Sequence, residues 1–233
     1  MASSLITSLV SYWKLDGTSA DSVGSNNGTD TQITYSAANG YIRKGAGFAK
    51  ANSSKIACGT GTGLRITGAL SISCWMKRSG AQVLETAVVE KQSDSGTAAE
   101  SYYLGFNAAT TKMSFFIYNG TTYYEIDSST VIPDGVWTHI VAVYDGVHYL
   151  YIYINGVQDA KSTDIGAITI YYNGNYQFYI GTDKAYSTRF YNGALDEIGV
   201  WSKGLTAAEV SQLYNHGSGN SYPFSQGGAS LFF

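Results

Sequence analysis

Apolar and polar residues alternate along most of the chain from about residue 70 onward. Within 70–76 the residues on one face are all apolar: Leu70, Ile72, Cys74 and Met76. This period of two is typical of a strand, in which successive side chains point to opposite faces. Further strands of this kind are predicted at 113–118, 121–126, 137–144, 147–154, 176–180 and 193–201.

Short turn sequences stand at the ends of several predicted strands. They are Asn119-Gly120, Asp145-Gly146 and Asn155-Gly156. Asp-Gly between two alternating runs favours a type I′ turn, because both central residues of that turn need positive φ. Strands joined by such turns pair antiparallel, so the series predicts a sandwich or a barrel.

One helix is predicted near the C-terminus, within 205–214. Thr206 is its expected N-cap, and Glu209, three residues later, completes a capping box. An apolar stripe follows, and Gly217 can end the helix.

No change in composition divides the chain before the end of this helix. We therefore expect one domain over residues 1–216 and a loose Gly/Ser-rich extension over 217–233. The extension ends in an apolar tip, which we expect to dock on the chain's own surface or on a partner. The residues of this tip are Leu231, Phe232 and Phe233.

Composition and charge exclude several classes of protein. Only 13% of the 233 residues are charged, about half the usual share, which excludes helical bundles and coiled coils. The aromatic share of 14% argues against disorder, because it offers ample surface to bury. The net charge of −3 is spread without a basic patch, so no nucleic-acid partner is expected. No membrane partner is expected either, because no apolar run approaches roughly 18 residues and the N-terminus lacks a signal-peptide pattern.

The two cysteines, Cys58 and Cys74, are too few for a tetrahedral metal site, and the chain has no C-x-x-C motif. We expect both to be buried reduced thiols, because free cysteine is among the most frequently buried residues. A disulfide between them is the alternative.

Landmarks along the chain resemble those of one family of jelly-roll domains. In order, they are 12–17 (YWKLDG), 45–48 (GAGF), 70–75 (LSISCW), 137–139 (WTH), 144–146 (YDG), 153–156 (YING), 193–198 (GALDEI) and 205–214. Over residues 10–216 the chain resembles the laminin-G-like, concanavalin A-like lectin/glucanase family. The resemblance implies an all-β fold, an antiparallel two-sheet jelly-roll β-sandwich with one short C-terminal helix. This fold hosts lectins, glycanases, adhesion modules and virion proteins alike.

The acidic residues do not complete the catalytic motif of the related glycanases. Laminarinase-like members of the family carry E-x-D-x-x-E or E-x-D-x-E, because a retaining mechanism needs carboxylates about 5 Å apart on one strand face. Glu125-Ile-Asp127 begins such a motif, but no third acid follows. Asp196 and Glu197 are adjacent and are expected to point to opposite strand faces. We therefore expect no enzymatic activity, with a glycoside hydrolase as the least favoured alternative.

A structural calcium ion is the stronger chemical hypothesis. Hard cations take several oxygen ligands, and the loop 16–21 begins and ends with an aspartate. The family resemblance implies ligands near the first strand and in the closing strand. In this chain those residues are Asp16, Asp21, Asp196 and Glu197. The alternative is that Asp16 and Asp21 only accept hydrogen bonds from loop backbone groups.

The 20 tyrosines suggest a binding surface. Tyr149, Tyr151 and Tyr153 share one strand face, while aliphatic residues occupy the other. We expect the aliphatic face to pack between the sheets and the three phenols to face outward. The pair Tyr123-Tyr124 extends this surface, because aromatic rings stack on sugars and anchor protein interfaces. For any single tyrosine, the alternative is strand propensity and cross-strand pairing.

Together these observations predict a non-enzymatic, lectin-like or adhesion module that binds a glycan or a protein partner. The lack of a recognised secretion signal fits a virion component, such as a bacteriophage tail or capsid-decorating protein. Such a protein is expected on the virion surface, as an oligomer in contact with other virion subunits. The alternative is a carbohydrate-binding module of an extracellular or bacterial-surface system that degrades polysaccharides.

Overall fold

The computed structural model describes residues 3–82, 85–93, 100–106, 111–185 and 187–224, and within these ranges fifteen strands form two antiparallel sheets. The strands are β1 (Leu9–Trp13), β2 (Thr29–Thr31), β3 (Thr34–Ser36), β4 (Gly45–Phe48), β5 (Lys55–Ala57), β6 (Leu70–Arg78), β7 (Ala87–Ser93), β8 (Glu100–Phe106), β9 (Lys112–Tyr118), β10 (Tyr123–Val131), β11 (Thr138–Tyr144), β12 (Leu150–Ile154), β13 (Val157–Lys161), β14 (Tyr176–Ile180) and β15 (Gly193–Trp201). The helix α1 (Ala207–Tyr214) follows the last strand. Short 3₁₀ turns lie at Ser4–Ile6, Ala37–Asn39, Lys50–Asn52, Thr62–Leu64 and Asn215–Gly217.

Each sheet joins strands that are distant in sequence. The eight-stranded sheet has the order β13-β12-β11-β6-β15-β4-β3, and β1 also pairs with β15. The seven-stranded sheet has the order β10-β9-β8-β7-β14-β5-β2. This architecture confirms the predicted antiparallel jelly-roll sandwich with one short C-terminal helix. In the described ranges, no helix has the length and apolar character needed to cross a membrane.

Apolar side chains from both sheets form the inner core. The predicted face of β6 lies there, with four fully buried residues: Leu70, Ile72, Cys74 and Met76. Trp13 of the eight-stranded sheet stacks on Phe178 of the seven-stranded sheet, with ring centroids 5.2 Å apart. Cys58 and Cys74 are buried and free, which confirms the prediction of reduced thiols.

A second apolar layer, the outer cluster, covers the other face of the eight-stranded sheet. Its buried residues are Leu5, Tyr12, Val141, Val143, Tyr153, Trp201, Leu205, Val210, Leu213 and Phe224. The indole N–H of Trp201 donates to the Leu5 carbonyl oxygen at 2.7 Å, which ties the N-terminal segment to β15. The centre of this sheet is therefore buried on both faces.

The helix α1 has the predicted capping box. The Glu209 backbone N–H donates to the Thr206 hydroxyl at 3.3 Å, and the Thr206 backbone N–H donates to the Glu209 carboxylate at 3.0 Å. The chain leaves the helix through Asn215 and Gly217, which both have positive φ.

The extension after residue 216 is only partly described. Residues 217–224 were expected to be loose, but Phe224 is buried in the outer cluster, with its ring 5.3 Å from that of Tyr12. The predicted docking residues Leu231, Phe232 and Phe233 lie outside the described residues.

The hairpin turns agree with the sequence prediction at one position and differ at another. Asn155 and Gly156 have φ of 51° and 79°, as a type I′ turn requires. At Asp145-Gly146 the type I′ prediction is wrong, because only the glycine has positive φ. The Asp145 carboxylate instead accepts N–H bonds from the three residues that follow Gly146, at 2.8, 2.7 and 3.0 Å, and so holds a longer loop.

Candidate functional site

A row of large and charged side chains crosses the outer face of the seven-stranded sheet. Strand pairing places its members side by side on β14, β7, β8, β9 and β10: Tyr179, Glu90, Tyr103, Phe116 and Glu125. Paired residues of neighbouring strands point to the same face, so these aromatic rings and carboxylates share one surface of the sheet.

Four rings at the β9–β10 end form the aromatic patch: Phe116, Tyr118, Tyr123 and Tyr171. Tyr118 and Tyr123 are cross-strand partners, and their rings stack with centroids 4.4 Å apart. Phe116 meets Tyr123 edge-on at 5.2 Å, and Tyr171 meets Tyr118 edge-on at 5.9 Å. Tyr123 is 44% exposed and Tyr171 37%. The patch thus presents preordered aromatic surface to solvent.

The aromatic patch rests on a buried ring and is bordered by polar groups. Tyr103 is 2% exposed, and its ring stacks under Phe116 with centroids 4.8 Å apart. The Asn119 side-chain oxygen accepts two backbone N–H bonds, at 2.9 and 2.8 Å, which fixes the loop between β9 and β10. The exposed Glu125 accepts a hydrogen bond from the Ser114 hydroxyl at 2.5 Å. The patch therefore combines aromatic rings that are fixed by packing with nearby hydrogen-bonding groups.

Of the predicted pair Tyr123-Tyr124, only Tyr123 lies in the aromatic patch. Tyr124 packs against the inner core, and its hydroxyl accepts a hydrogen bond from the Asn119 amide at 3.4 Å. The structure separates the two residues because neighbours on a strand point to opposite faces.

The tyrosines at β12 lie on the outer face of the eight-stranded sheet, and their expected exposure is partly wrong. Tyr153 is 6% exposed, because the outer cluster covers it. Tyr151 is half-buried against the same cluster. Tyr149 is half-buried under the Lys161 ammonium group, which lies 3.5 Å from its ring centroid. These three rings do not form an open phenol surface.

Asp21, a predicted calcium ligand, holds its own loop. Its carboxylate accepts four backbone N–H bonds at 3.0 Å, from Tyr12, Val23, Gly24 and Asn26. Burial by itself raises the pKa of Asp21, but these bonds stabilise the charged form and leave the pKa below its ordinary value. This geometry matches the alternative in which the aspartate satisfies backbone groups.

The other three predicted ligands also have protein partners. Asp16 accepts the Lys44 N–H at 3.0 Å, and buried Asp196 accepts the N–H groups of Tyr41 and Ile42, both at 2.8 Å. Glu197 accepts a hydrogen bond from the Tyr12 hydroxyl at 2.6 Å. Among the described residues, none of the four predicted ligands belongs to a cluster with metal-ligand spacing. A calcium ion held by these residues stays a prediction.

The expectation that Asp196 and Glu197 point to opposite faces is wrong. Leu195 and Ile198 both face the inner core, so the two acids between them point away from it. A register shift after Asp196 and a φ of 50° at Glu197 form a bulge that breaks the alternation.

A second candidate site lies near the β14 end of the row: the acidic cluster of Glu90, Glu100 and Asp183. One carboxylate oxygen of each residue lies within 4.8 Å of the others. The Gln92 amide donates to Glu100 at 3.4 Å and to Asp183 at 3.2 Å. The Arg189 guanidinium donates to Asp183 at 2.6 Å. This arrangement joins acids from two strands and the segment after β14.

Burial and mutual repulsion raise the pKa values of the acidic cluster. Burial raises the pKa of Glu90 well above its ordinary value, and the charge of Asp183 adds to the effect. The same two causes raise the pKa of Glu100 to about 7. Burial also raises the pKa of Asp183, although the hydrogen bond from Arg189 opposes it. Ionisation of all three carboxyl groups is therefore unfavourable in free energy unless a further cation balances their charge.

Sequence reasoning missed the acidic cluster because its members come from separate segments that only strand pairing brings together. One signal was available. Glu90 ends an apolar run within a chain that is only 13% charged, and a charge in such a strand needs a partner.

Comparison with known families agrees with this fold. The sequence profile Laminin_G_3, described as the concanavalin A-like lectin/glucanases superfamily, matches residues 49–211. A human protein, adhesion G-protein coupled receptor D1, is 26% identical over 100 residues, which are 43% of this chain and 11% of the receptor. The chain thus spans a small part of that curated relative.

Solved structures with this fold include several binding domains. Domain 4 of a GH43 extracellular arabinanase from Geobacillus stearothermophilus, in complex with arabinotriose, has a TM-score of 0.69 and 21% identity, covering 87% of this chain and 96% of that domain. The binding domain of Paraclostridial Mosquitocidal Protein 1 has a TM-score of 0.70 and 15% identity, covering 91% of this chain and 52% of that one. The binding domain of botulinum neurotoxin DC, in complex with rat synaptotagmin II, has a TM-score of 0.66 and 11% identity, covering 91% and 52%.

Proposed function

This chain belongs to the concanavalin A-like lectin/glucanase superfamily, and on that basis we propose that it is a non-catalytic binding module whose ligand is a glycan. The aromatic patch carries the proposal. Tyr123 and Tyr171 are its exposed rings, and their neighbours hold them in place before any ligand arrives. A preordered surface loses little conformational entropy on binding.

The chemistry of the patch suits a sugar ring. One face of a pyranose or furanose is largely apolar and stacks on an aromatic ring, while its hydroxyl groups need hydrogen-bond partners. The exposed carboxylate of Glu125 lies directly across from Phe116 and two residues along β10 from Tyr123, and it can accept such bonds. The arabinanase domain in complex with arabinotriose supports the same ligand class through its shared fold.

The placement of the acids supports binding without catalysis. Glu125 and Asp127 are exposed on β10, the edge strand of the seven-stranded sheet. Among the described residues, the acidic cluster brings three carboxylates together, but Glu90 and Asp183 are buried there and out of reach of a polysaccharide. Glu125 and Asp127 share one strand face, but residues 128–131 (SSTV) supply no third acid to complete the glycanase motif.

Tyr123→Ala tests the proposed site. We expect wild-type protein to bind an oligosaccharide from a panel that includes arabinotriose, and the variant to bind it at least tenfold more weakly. A tenfold loss corresponds to about 1.4 kcal/mol, the scale of one lost aromatic contact. Isothermal titration calorimetry measures both affinities.

Tyr149→Ala is the matched control, because Tyr149 is a half-buried tyrosine directly before β12 of the opposite sheet. It should retain the affinity of the wild type. Equal binding by Tyr123→Ala and wild type, or no binding of any saccharide in the panel, contradicts a glycan site at the patch.

A more specific form of the proposal places the module on a virion surface, as a subunit in contact with other virion proteins. Exposed tyrosines also suit the core of a subunit interface, where aromatic residues are enriched. Sedimentation velocity tests this form, and we expect a stable oligomer at micromolar concentration. A monomer at every concentration contradicts it and favours an extracellular module of a polysaccharide-degrading system.

A further inference from the structure

The acidic cluster concentrates negative charge in a buried part of the molecule. Glu90 is 0% exposed, Asp183 1% and Glu100 9%, and their nearest oxygens lie within 4.8 Å of one another. Carboxylates at this spacing repel one another, and burial removes the water that would solvate them. A stable arrangement needs added cations or protons.

The neighbouring arginine does not balance this charge. Arg189 forms ion pairs with Asp183 and Glu85. Glu85 also acts electrostatically on Glu100. The group therefore contains one guanidinium and four carboxylates, namely those of the acidic cluster and of Glu85. The net charge of this group stays negative when its acids are ionised.

Glu90 provides an independent indication of a ligand. Its Oε1 accepts the backbone N–H of Lys184 at 2.7 Å, whereas its Oε2 is buried and has no hydrogen-bond partner among the described residues. One Glu90 carboxylate oxygen lies within 4.8 Å of a carboxylate oxygen of Glu100 and of Asp183, so the head group of Glu90 is part of the cluster. Buried polar atoms are rarely left unpaired, since an unpaired atom forfeits its solvation without compensation.

We propose that Glu90, Glu100 and Asp183 bind a calcium ion. All three side chains offer oxygen ligands, which Ca²⁺ prefers, whereas Zn²⁺ sites are built mainly from nitrogen and sulfur. Mg²⁺ retains several waters in a strict octahedron, which suits a buried group of carboxylates less well. The site lies on the seven-stranded sheet and shares no residue with the calcium site that the sequence predicts.

Thermal unfolding with and without calcium tests this site on the full chain. We expect chelator-treated wild type to gain roughly 5–10 °C in melting temperature when Ca²⁺ reaches about 100 times its Kd. Isothermal titration with CaCl₂ should show a single ion per chain. Glu90→Gln keeps the side-chain shape and removes one charge, so it should abolish the calcium-dependent gain. In chelator this variant should melt at or above the wild type, because the repulsion between carboxylates is reduced.

Asp16→Asn serves as the control and should retain the full calcium response, because Asp16 lies outside the acidic cluster. Glu100→Gln is a second cluster variant for the case in which Glu90→Gln does not fold, and it too should lose the response. Absence of both heat and thermal shift in wild type overturns the proposal and assigns protons to the buried acids. A response that Asp16→Asn loses and Glu90→Gln keeps also overturns it.

Discussion

Acidification from pH 7 to pH 4 is expected to cost the wild-type protein about 3 kcal/mol of folding free energy through His139 alone. His139 is 2% exposed on β11, and its Nε2 lies 3.0 Å from the Ser73 hydroxyl, while its Nδ1 has no hydrogen-bond partner in the described part of the chain. Burial lowers the pKa of His139 to about 3. In the unfolded chain the ring takes up a proton below a pKa of about 6.5. Between these two values only the unfolded state is protonated at this ring, so stability falls as the pH falls.

His139→Gln isolates this effect, because a glutamine does not titrate and can still face Ser73. Urea unfolding at pH 7 and pH 4 should show a smaller loss of stability for the variant than for wild type, by about 3 kcal/mol. His216→Asn is the matched control, since His216 is exposed and its φ of 53° is one that asparagine adopts readily. It should keep the wild-type pH dependence. The same pH dependence in wild type and His139→Gln would show that the buried ring is not the cause.

Trp201→Ala is expected to lower the free energy of unfolding by about 3–5 kcal/mol, the usual cost of truncating a large buried aromatic residue. Trp201 is 0% exposed at the centre of the outer cluster. Its removal opens a cavity beneath Phe224 and leaves the Leu5 carbonyl oxygen without its indole donor. Both chain ends of the described structure lose a contact at once. Urea unfolding measured by circular dichroism gives the difference.

Trp137→Ala is the comparison for Trp201→Ala. Trp137 is half-buried and contacts Tyr41 and Lys77 at the surface, so its truncation should cost clearly less than that of Trp201. Equal unfolding midpoints for the two variants would mean that the outer cluster contributes little to stability. Because the aromatic patch lies on the other sheet, we expect Trp201→Ala to bind glycan normally at temperatures where it remains folded.

Local patterns predicted several of the strands and the helix cap, because both depend on neighbours in sequence, but they did not predict β7 or β8. The alternating residues of β6 reach the inner core, and Thr206 and Glu209 form their capping box. The same reasoning was wrong at Asp145, where a side chain took over hydrogen bonds that a tight turn would have made between backbone groups. An alternating pattern predicts the strand but does not determine which turn closes the hairpin.

The candidate sites were less predictable, because they depend on which strands become neighbours. The alternation at 149–154 correctly put the tyrosines opposite the inner core, yet it could not show that Tyr153 is buried in the outer cluster, to which α1 contributes. Tyr118 and Tyr123 are close in sequence, but Tyr171 reaches them from another part of the chain. The predicted pair Tyr123-Tyr124 therefore identified one of the four rings of the aromatic patch.

The amino-acid sequence by itself determined the antiparallel all-β class, the low charge and the abundance of tyrosine, since composition and short-range periodicity do not depend on tertiary contacts. The jelly-roll topology followed from the family resemblance. The tertiary structure alone decided which acids meet. Glu90 and Asp183 are 93 positions apart (183 − 90), and they approach because β14 pairs with β7. The register of paired strands is set by packing of the whole sandwich, and packing also decides which side chains lose water and thereby change their pKa.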